Sequence, residues 1–348
     1  MQTNLDLRER RSVGDVFKAT FKNETFVMLL VLIGYSLFVN SQNSNFISFN
    51  NIRNISVQVS ITGVLTCGMF MTLLTVGTDL SVAWMLTFLG CGAVELTMTY
   101  NWPIWLVVIT VFVVAMALEG LMGYIIAKTG LSSFIISLGF QAMYMSFAYL
   151  LSDGSMKDIG GKLDFINTFP VAGISTLVFI FVAVVLISWL LLRFTKYGRR
   201  MYAVGNNSEA AYLSGINVVR FKVSVFMING FCVALATVMA VARLNSSSPS
   251  MATGYEIAAI AACVVGGTSM SGGKGKILSA VVGIFLLGCI KNSMTMMSLS
   301  PYYSDLFRGL IIVVAVILSQ TTVFRRKYKK QSQEPGRPSE PDQVQQQT

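Results

Sequence analysis

Long apolar runs, separated by short polar stretches, fill most of this sequence and restrict the folds open to it. A helix needs roughly 20 apolar residues to cross a hydrocarbon core about 30 Å thick, and most of the runs reach that length. Charged residues make up only 12% of the chain, against about 25% in soluble domains. The sequence therefore predicts an all-α polytopic membrane protein with about ten transmembrane helices. The runs lie near residues 26–40, 55–77, 80–99, 103–127, 131–151, 171–192, 221–243, 256–270, 276–290 and 303–323.

Two of the runs, 256–270 and 276–290, are short for a transmembrane helix. We expect short or re-entrant segments within residues 256–290. An alternative with eight spans treats both runs as re-entrant. Both counts leave the two ends of the chain on the same side of the membrane, so parity does not separate them.

The charged residues predict the topology. The loop at residues 193–222 carries six basic residues and one acidic residue, and the N-terminal segment and the stretch 325–330 are also basic. Basic loops stay in the cytoplasm, so we expect both termini and this loop to be cytoplasmic. The loop at residues 152–169, which contains Lys157 and three aspartates, is expected outside. The basic residues that contribute to the net charge of +10 are explained by cytoplasmic loops. We therefore expect no nucleic-acid partner.

The chain divides into three parts by composition. Residues 1–25 form a polar, basic N-terminal segment, and residues 26–324 form the transmembrane domain. Residues 325–348 begin with a basic stretch and continue as a tail rich in proline and glutamine. A tail of that composition cannot bury a core and is expected to be disordered.

The composition also excludes several kinds of catalytic site. The chain has no histidine, which removes the Ser-His-Asp triad and most zinc sites. The five cysteines lie in apolar segments without CxxC spacing and are expected to be buried free thiols. We therefore expect no catalytic residue, no metal site and no cofactor.

The glycine-rich stretch at residues 266–276, GGTSMSGGKGK, superficially resembles a phosphate-binding loop. The Walker pattern requires a glycine five residues before the glycine of Gly-Lys, and Thr268 and Met270 stand at those positions. The stretch is therefore expected to hold no nucleotide, so ATP would be used by a partner. We interpret it as a tight cytoplasmic turn packed between two short helices, with a flexible loop as the alternative.

A polar stretch at residues 195–218 contains the signal of a short helix. Asn206 followed three residues later by Glu209 has the form of a capping box. Gly215 suits a left-handed C-terminal stop. We expect a helix of about two turns with Tyr212 and Leu213 exposed, and because a helix this short is marginal alone, we expect it to dock on another protein.

Three stretches resemble one family in the same order. The polar stretch TKYGRRMYAVGNNSEAAYLSGINV resembles the EAA-type loop of permeases in ATP-binding cassette importers, in particular the ribose-type monosaccharide permeases. Residues 77–82, GTDLSV, and residues 254–256, GYE, leading to 266–273, GGTSMSGG, are also similar to that family. The resemblance covers roughly residues 26–324.

This resemblance implies a permease subunit, not an enzyme, that forms the translocation path for a small polar solute, such as ribose or a related sugar. It implies a multi-pass protein of the bacterial inner membrane. The implied partners are a cytoplasmic ATPase subunit or tandem ATPase, a second permease subunit that is identical or a sister chain, an extracytoplasmic sugar-binding protein, and membrane lipid.

The resemblance also points to particular residues. Those assigned to ATPase coupling, within a loop at about 193–220, are Gly205, Asn206, Glu209, Ala210, Ala211, Leu213, Ser214, Gly215 and Ile216. Candidates for translocation or helix packing are Asp79, Ser81, Glu119, Glu256, Gly266, Gly267 and Thr268. Aromatic and amide side chains that suit either sugar contact or the membrane interface are Phe134, Gln141, Tyr144, Phe147 and Tyr149.

Two of these acids admit alternatives. Asp79 has no cation near it in sequence, and we favour its capping the next helix over a role in translocation. For Glu119 we favour a helix-packing hydrogen bond, with Gly120 and Gly123 allowing close approach, over contact with a sugar. An ion-coupled secondary carrier is the alternative function, but it needs a relay of buried ionisable groups, and the carboxylates here are scattered in sequence.

Overall fold

The computed structural model describes residues 24–167 and 173–300, together with positions 302, 303, 306, 307, 309, 310 and 313. Within the two long ranges the chain forms twelve helices and one two-stranded ribbon. The predicted all-helical fold is confirmed. The N-terminal segment 1–23, the tail 325–348 and most of the run 303–323 lie outside the described residues.

The elements follow one another in this order: α1 Glu24–Gln42, α2 Phe49–Leu74, α3 Val82–Met98, α4 Ile104–Thr129, α5 Ser133–Ser152, β1 Lys157–Asp158, α6 Asp164–Asn167, α7 Thr176–Phe194, α8 Lys196–Asn206, α9 Ser208–Leu213, α10 Val218–Leu244, β2 Ser246–Ser247, α11 Tyr255–Val265 and α12 Ile277–Met296.

Seven of the described helices, α1, α2, α4, α5, α7, α10 and α12, are long and apolar enough to cross a membrane. The apolar helices α3 and α11 are shorter, at 17 and 11 residues. The predicted short segment near residue 256 is therefore present as α11. The run at 276–290 belongs to the 20-residue helix α12, so the expectation that it is short was wrong. Its polar residues Lys291–Ser293 continue the helix beyond the end of the apolar run.

Helix α10 lies at the centre of the bundle and packs most extensively against α4, then against α2 and α3. Glycines permit this close approach. A Cβ atom on Gly123 of α4 would lie 2.7 Å from Cβ of Phe226, and one on Gly230 of α10 would lie 2.7 Å from the carbonyl oxygen of Ala115. Small residues let helix backbones meet in a membrane, so this pair of helices is specified by its glycines.

The bundle has two distinct ends, joined by α10, whose 27 residues span about 40 Å. At the ribbon end, β1 pairs antiparallel with β2, with Lys157 opposite Ser247. The Lys157 ammonium lies 3.0 Å from the Glu95 carboxylate and 3.1 Å from that of Asp153. The hydrogen bond that Lys157 donates to Glu95, and then the one that it donates to Asp153, raise the pKa of Lys157. At the opposite, loop end lie α8 and α9.

Two segments of irregular backbone lie between helices of the bundle. Residues 75–81 join α2 to the short helix α3, and residues 266–276 join the short helix α11 to α12. Backbone of this kind is tolerated at membrane depth only where protein covers it. The second segment reaches the end of α2 at the loop end, where the N–H of Gly273 donates to the carbonyl oxygen of Leu74 at 2.9 Å.

Candidate functional site

Helix α9 begins one residue later than predicted. The side chain of Asn207 caps it by accepting a hydrogen bond from the N–H of Ala210 at 2.9 Å. The predicted capping box of Asn206 with Glu209 was wrong, because Asn206 is the last residue of α8. Glu209 still lies in the first turn of α9, where a carboxylate favours the positive end of the helix dipole.

The C-terminus of α9 has the predicted left-handed stop. Gly215 has a φ of 84°. The N–H of Gly215 donates to the carbonyl of Tyr212 at 2.9 Å, and the N–H of Ile216 donates to the carbonyl of Ala211 at 3.1 Å. These two bonds form a Schellman motif. The short helix is therefore closed at both ends by residues of its own loop.

Helix α9 turns two large apolar side chains away from the bundle. Ala211 is buried and Ile216 is half-buried, so this side of the segment faces the protein. Tyr212 and Leu213 are 68% and 80% exposed, as predicted. Adjacent exposed apolar side chains on a well-capped helix form a surface suited to a protein partner.

Helix α8, Lys196–Asn206, was not predicted from the sequence. Thr195 caps it by accepting from the N–H of Gly198 at 3.2 Å. Its buried residues are Gly198, Met201, Val204 and Gly205. They recur at intervals of three and four residues, which is the spacing of one face of a helix. That periodicity was present in the sequence and would have revealed the helix.

Helix α8 is held against the bundle at a cluster that we call the loop-end junction, formed by Leu74, Gly205, Asn206 and Gly273. A Cβ atom on Gly205 would lie 1.7 Å from the carbonyl oxygen of Leu74 and 2.6 Å from the nitrogen of Gly273. The side-chain amide of Asn206 donates to the carbonyl of Gly273 at 3.2 Å. Helix α8, which precedes α9, is thus packed closely against the end of α2 and hydrogen-bonded to the glycine-rich turn.

The glycine-rich turn is packed against its neighbours. The hydroxyl of Tyr202 in α8 donates to the carbonyl of Gly275 at 3.0 Å, and burial raises the pKa of Tyr202. A Cβ atom on Gly266 would lie 2.7 Å from the nitrogen of Ala280 in α12. Gly267 has a φ of 83°, which glycine adopts without strain. The turn therefore has the packed form rather than that of a flexible loop.

Of the two remaining candidates, Thr268 lies within the glycine-rich turn and Glu256 lies away from it. Thr268 is 1% exposed, and its Oγ1 has no hydrogen-bond partner within the described part of the chain. Glu256 is buried in the first turn of α11, at the opposite end of that helix from Gly266. The structure does not bring Glu256 to the loop-end junction.

The structure unites Asp79, Ser81 and Glu119 with Asn229 of α10, which sequence reasoning missed. One carboxylate oxygen of Asp79 accepts from the N–H and the hydroxyl of Ser81, at 2.8 and 2.7 Å. The other accepts from the Asn229 amide at 2.7 Å, and the same amide nitrogen lies 3.3 Å from Glu119 Oε2. All four residues have no exposed surface. Asn229 could have been found from the sequence as a polar residue within the apolar run 221–243.

These contacts correct one interpretation and agree with another. Asp79 does not cap α3, because Ser81 occupies the N-cap position. The Asp79 carboxylate instead accepts hydrogen bonds from the N–H and the hydroxyl of Ser81. Glu119 makes the expected hydrogen bond to a neighbouring helix. The aromatic residues of α5 differ in burial. Phe134, Phe147 and Tyr149 are largely exposed, whereas Tyr144 is 2% exposed.

The loop end is strongly basic at its surface. Lys196, Arg199, Arg200 and Arg220 are exposed. Glu209 is the only acidic residue between positions 193 and 222. Within the described residues no group of three or more histidine, cysteine, aspartate or glutamate side chains is placed to hold a metal ion. The exposed basic and apolar side chains of the loop end are suited to binding a protein.

Comparison with known proteins matches residues 51–316 to the family described as "Branched-chain amino acid transport system / permease component". Among similar proteins, the ribose import permease RbsC of Haemophilus influenzae is 35% identical over 316 residues, covering 89% of this chain and 97% of the relative. The D-allose permease AlsC of Escherichia coli K12 is 35% identical, covering 86% and 91%. The L-arabinose permease AraH of the same strain is 33% identical, covering 87% and 90%. No solved structure matches the chain.

Proposed function

The chain belongs to the branched-chain amino acid transport system / permease component family, and from that membership we propose that it forms the translocation path for a monosaccharide in an ATP-binding cassette importer. The observation that carries the proposal is similarity over nearly the whole chain to permeases named for ribose, allose and arabinose. Those three solutes are monosaccharides, which makes a sugar of this class the expected solute.

Permease subunits of this family are not catalytic, and ATP is hydrolysed by a separate ATPase. The failure of residues 266–276 to match the Walker spacing agrees with this division of labour. The chain is a multi-pass membrane protein that works with an ATPase and a solute-binding protein. We propose that a second permease subunit, identical or a sister chain, completes the path, and that membrane lipid covers the exposed apolar helix faces.

We propose that helix α9 is the element that couples the ATPase to the bundle. Tyr212 and Leu213 would insert into a groove of the ATPase, since they are the exposed apolar residues of a helix closed at both ends. Movement of α9 would pass through α8 to the loop-end junction, where Gly205 touches Leu74 backbone to backbone. From there it would reach α2 and the glycine-rich turn together.

This proposal orients the protein in a bacterial inner membrane. The loop end, with its exposed basic residues, would be cytoplasmic, and the ribbon end with Lys157 would face the solute-binding protein. The N-terminal segment 1–25 and the tail 325–348 would then be cytoplasmic. Between them, residues 26–324 would act as the permease domain, with the coupling loop at about 193–220.

The proposal is tested by reconstituting the chain in proteoliposomes with its ATPase and its binding protein. We expect uptake of one sugar from a panel containing ribose, allose and arabinose, dependent on internal ATP. A complex with an ATPase variant that binds but cannot hydrolyse ATP is the control. Uptake that proceeds without the ATPase and stops when an ionophore collapses the ion gradient would instead establish the secondary carrier.

A further inference from the structure

Two acidic side chains meet inside the bundle. Asp79, from the irregular segment 75–81, and Glu119, near the middle of α4, are each 0% exposed. The side-chain nitrogen of Asn229 lies between their carboxyl groups, 2.7 Å from Asp79 Oδ2 and 3.3 Å from Glu119 Oε2. Two carboxyl groups that share one donor nitrogen either hold a hydrogen between them or leave two negative charges adjacent.

The hydrogen-bond donors around this pair are unequally divided. Asp79 accepts three hydrogen bonds, two from Ser81 and one from the Asn229 amide. Glu119 receives a single longer contact, 3.3 Å from the same amide nitrogen. Its other oxygen, Oε1, has no hydrogen-bond partner within the described residues. The surroundings therefore support a carboxylate at Asp79 and offer one at Glu119 only a longer hydrogen bond from a donor that it shares with Asp79.

In the part of the chain that the structure describes, the pair has no partner cation. Among the described residues, no lysine or arginine makes a hydrogen bond or electrostatic contact with either carboxyl group. The packed elements offer Ser81 before α3, Met122 of α4, Asn229 of α10 and Tyr144 of α5. Of these only Tyr144 is titratable. Its hydroxyl is buried, has no hydrogen-bond partner in the described chain, and interacts electrostatically with both acids.

We propose that the Asp79–Glu119 pair is a proton-binding site, in which Glu119 carries the proton and donates it to an ionised Asp79. Burying one uncompensated charge costs several kcal/mol, and a second adjacent charge of the same sign adds to that cost. Sharing one proton removes the second charge, as in other paired carboxyl groups. The shared proton also gives Asp79 a fourth hydrogen bond, in addition to those from Ser81 and Asn229.

The bound proton gives the pair a positioning role. Asp79 is connected to α4 through Glu119 and to α10 through Asn229. One residue earlier, the N–H of Thr78 donates to the Ser133 hydroxyl at 2.9 Å, at the start of α5. The protonated Glu119 therefore helps to fix the irregular segment 75–81 between three helices. It is held in place rather than transported, so uptake requires no proton gradient.

Infrared difference spectroscopy of the purified transporter in lipid tests the proposal, because a protonated carboxyl group absorbs apart from carboxylates. Subtracting the spectrum of Glu119→Gln from that of the unmodified protein at neutral pH should reveal one protonated carboxyl band. Asp158→Asn, which removes an exposed carboxyl at the ribbon end, is the matched control and should reveal carboxylate bands alone. Carboxylate bands alone for Glu119→Gln would overturn the proposal.

A second variant covers the case in which Glu119→Gln does not assemble. In Asp79→Asn the protonated band should persist but shift, since Glu119 keeps its proton and loses its anionic acceptor. Disappearance of the band would assign the proton to Asp79 and overturn the assignment to Glu119. In transport, Glu119→Gln should retain uptake within about twofold, because its amide donates to Asp79 in the same sense. Asp79→Asn should lose about tenfold, as expected when a buried network loses a charged acceptor.

Discussion

Gly205 of α8 lies so close to Leu74 of α2 that a Cβ atom on Gly205 would come within 1.7 Å of the Leu74 carbonyl oxygen. No side chain fits there unless one of the two backbones moves. The contact connects the support of α9 directly to the end of a membrane-spanning helix. A displacement of α8 by no more than the width of a methyl group should therefore also displace α2.

The first prediction is that Gly205→Ala separates α8 from α2 and weakens coupling. We expect ATP-driven uptake to fall by about tenfold or more, since overpacking of a close contact costs about 1–3 kcal/mol. Uptake and ATPase activity are measured in the same proteoliposomes. Gly139→Ala is the control, because nothing lies within 4 Å of a Cβ atom there. Equal uptake by both variants would show that this contact is not part of the coupling route.

The second prediction concerns the exposed pair on α9. Replacing Tyr212 and Leu213 together by alanine should reduce co-purification of the ATPase by about tenfold or more, as loss of large apolar anchors does at protein interfaces. Met156→Ala, at the ribbon end and 72% exposed, is a control of similar exposure. If the double variant retains the ATPase as well as Met156→Ala does, the docking surface lies elsewhere.

The third prediction compares the same backbone strain at two positions in the chain. Gly215 and Gly130 both have positive φ, 84° and 70°, and neither has an atom within 4 Å of its Cβ position. Alanine should cost roughly 1 kcal/mol at either site. Gly215→Ala should lower uptake because α9 has only about two turns to absorb the strain. Gly130→Ala, at the end of the 26-residue α4, should not. Similar uptake by the two variants would argue against a special role for the end of α9.

The fourth prediction concerns topology. The five native cysteines are buried, so a cysteine introduced at an exposed site should dominate labelling by a membrane-impermeant thiol reagent. Met156→Cys should react in intact cells. Leu213→Cys should react only after the membrane is opened. The reverse pattern would place the loop end outside and would invalidate the proposed orientation.

The fifth prediction concerns the ribbon end. The folded-state pKa of Lys157 is raised, first by its hydrogen bond to Glu95 and then by that to Asp153. The stability that the lysine contributes is therefore present below its unfolded pKa and lost as pH rises through the folded one. Lys157→Met should unfold at a lower temperature than the unmodified protein at neutral pH, and the difference should shrink at strongly alkaline pH. A difference that is constant with pH would mean that packing, not charge, explains the effect.

Short sequence patterns predicted the features of the fold that depend on neighbouring residues in the chain. The apolar runs predicted nearly every long helix, and the glycine at position 215 predicted the end of α9. The start of α9 was displaced by one residue because two asparagines, Asn206 and Asn207, are equally good caps in sequence. Only the structure shows that Asn206 is engaged by Gly273.

Contacts between distant segments were not predictable from one sequence. Asn229 lies 150 residues from Asp79 and 110 from Glu119, and no spacing rule connects them. The two acids appeared scattered, which argued against a buried ionisable cluster. The fold brings them together through the irregular segment 75–81, whose path depends on its packing against α4, α5 and α10.

The brevity of α11 has a consequence for how the protein is made. Its 11 residues extend about 16 Å, half the thickness of the hydrocarbon core, so the insertion machinery cannot release it into lipid as a finished span. We expect α11, the glycine-rich turn and α12 to leave the translocon together as a hairpin. The polar backbone of that turn then has to find α2 and α8, which are synthesised earlier. Biogenesis of the second half of the chain thus depends on a surface prepared by the first.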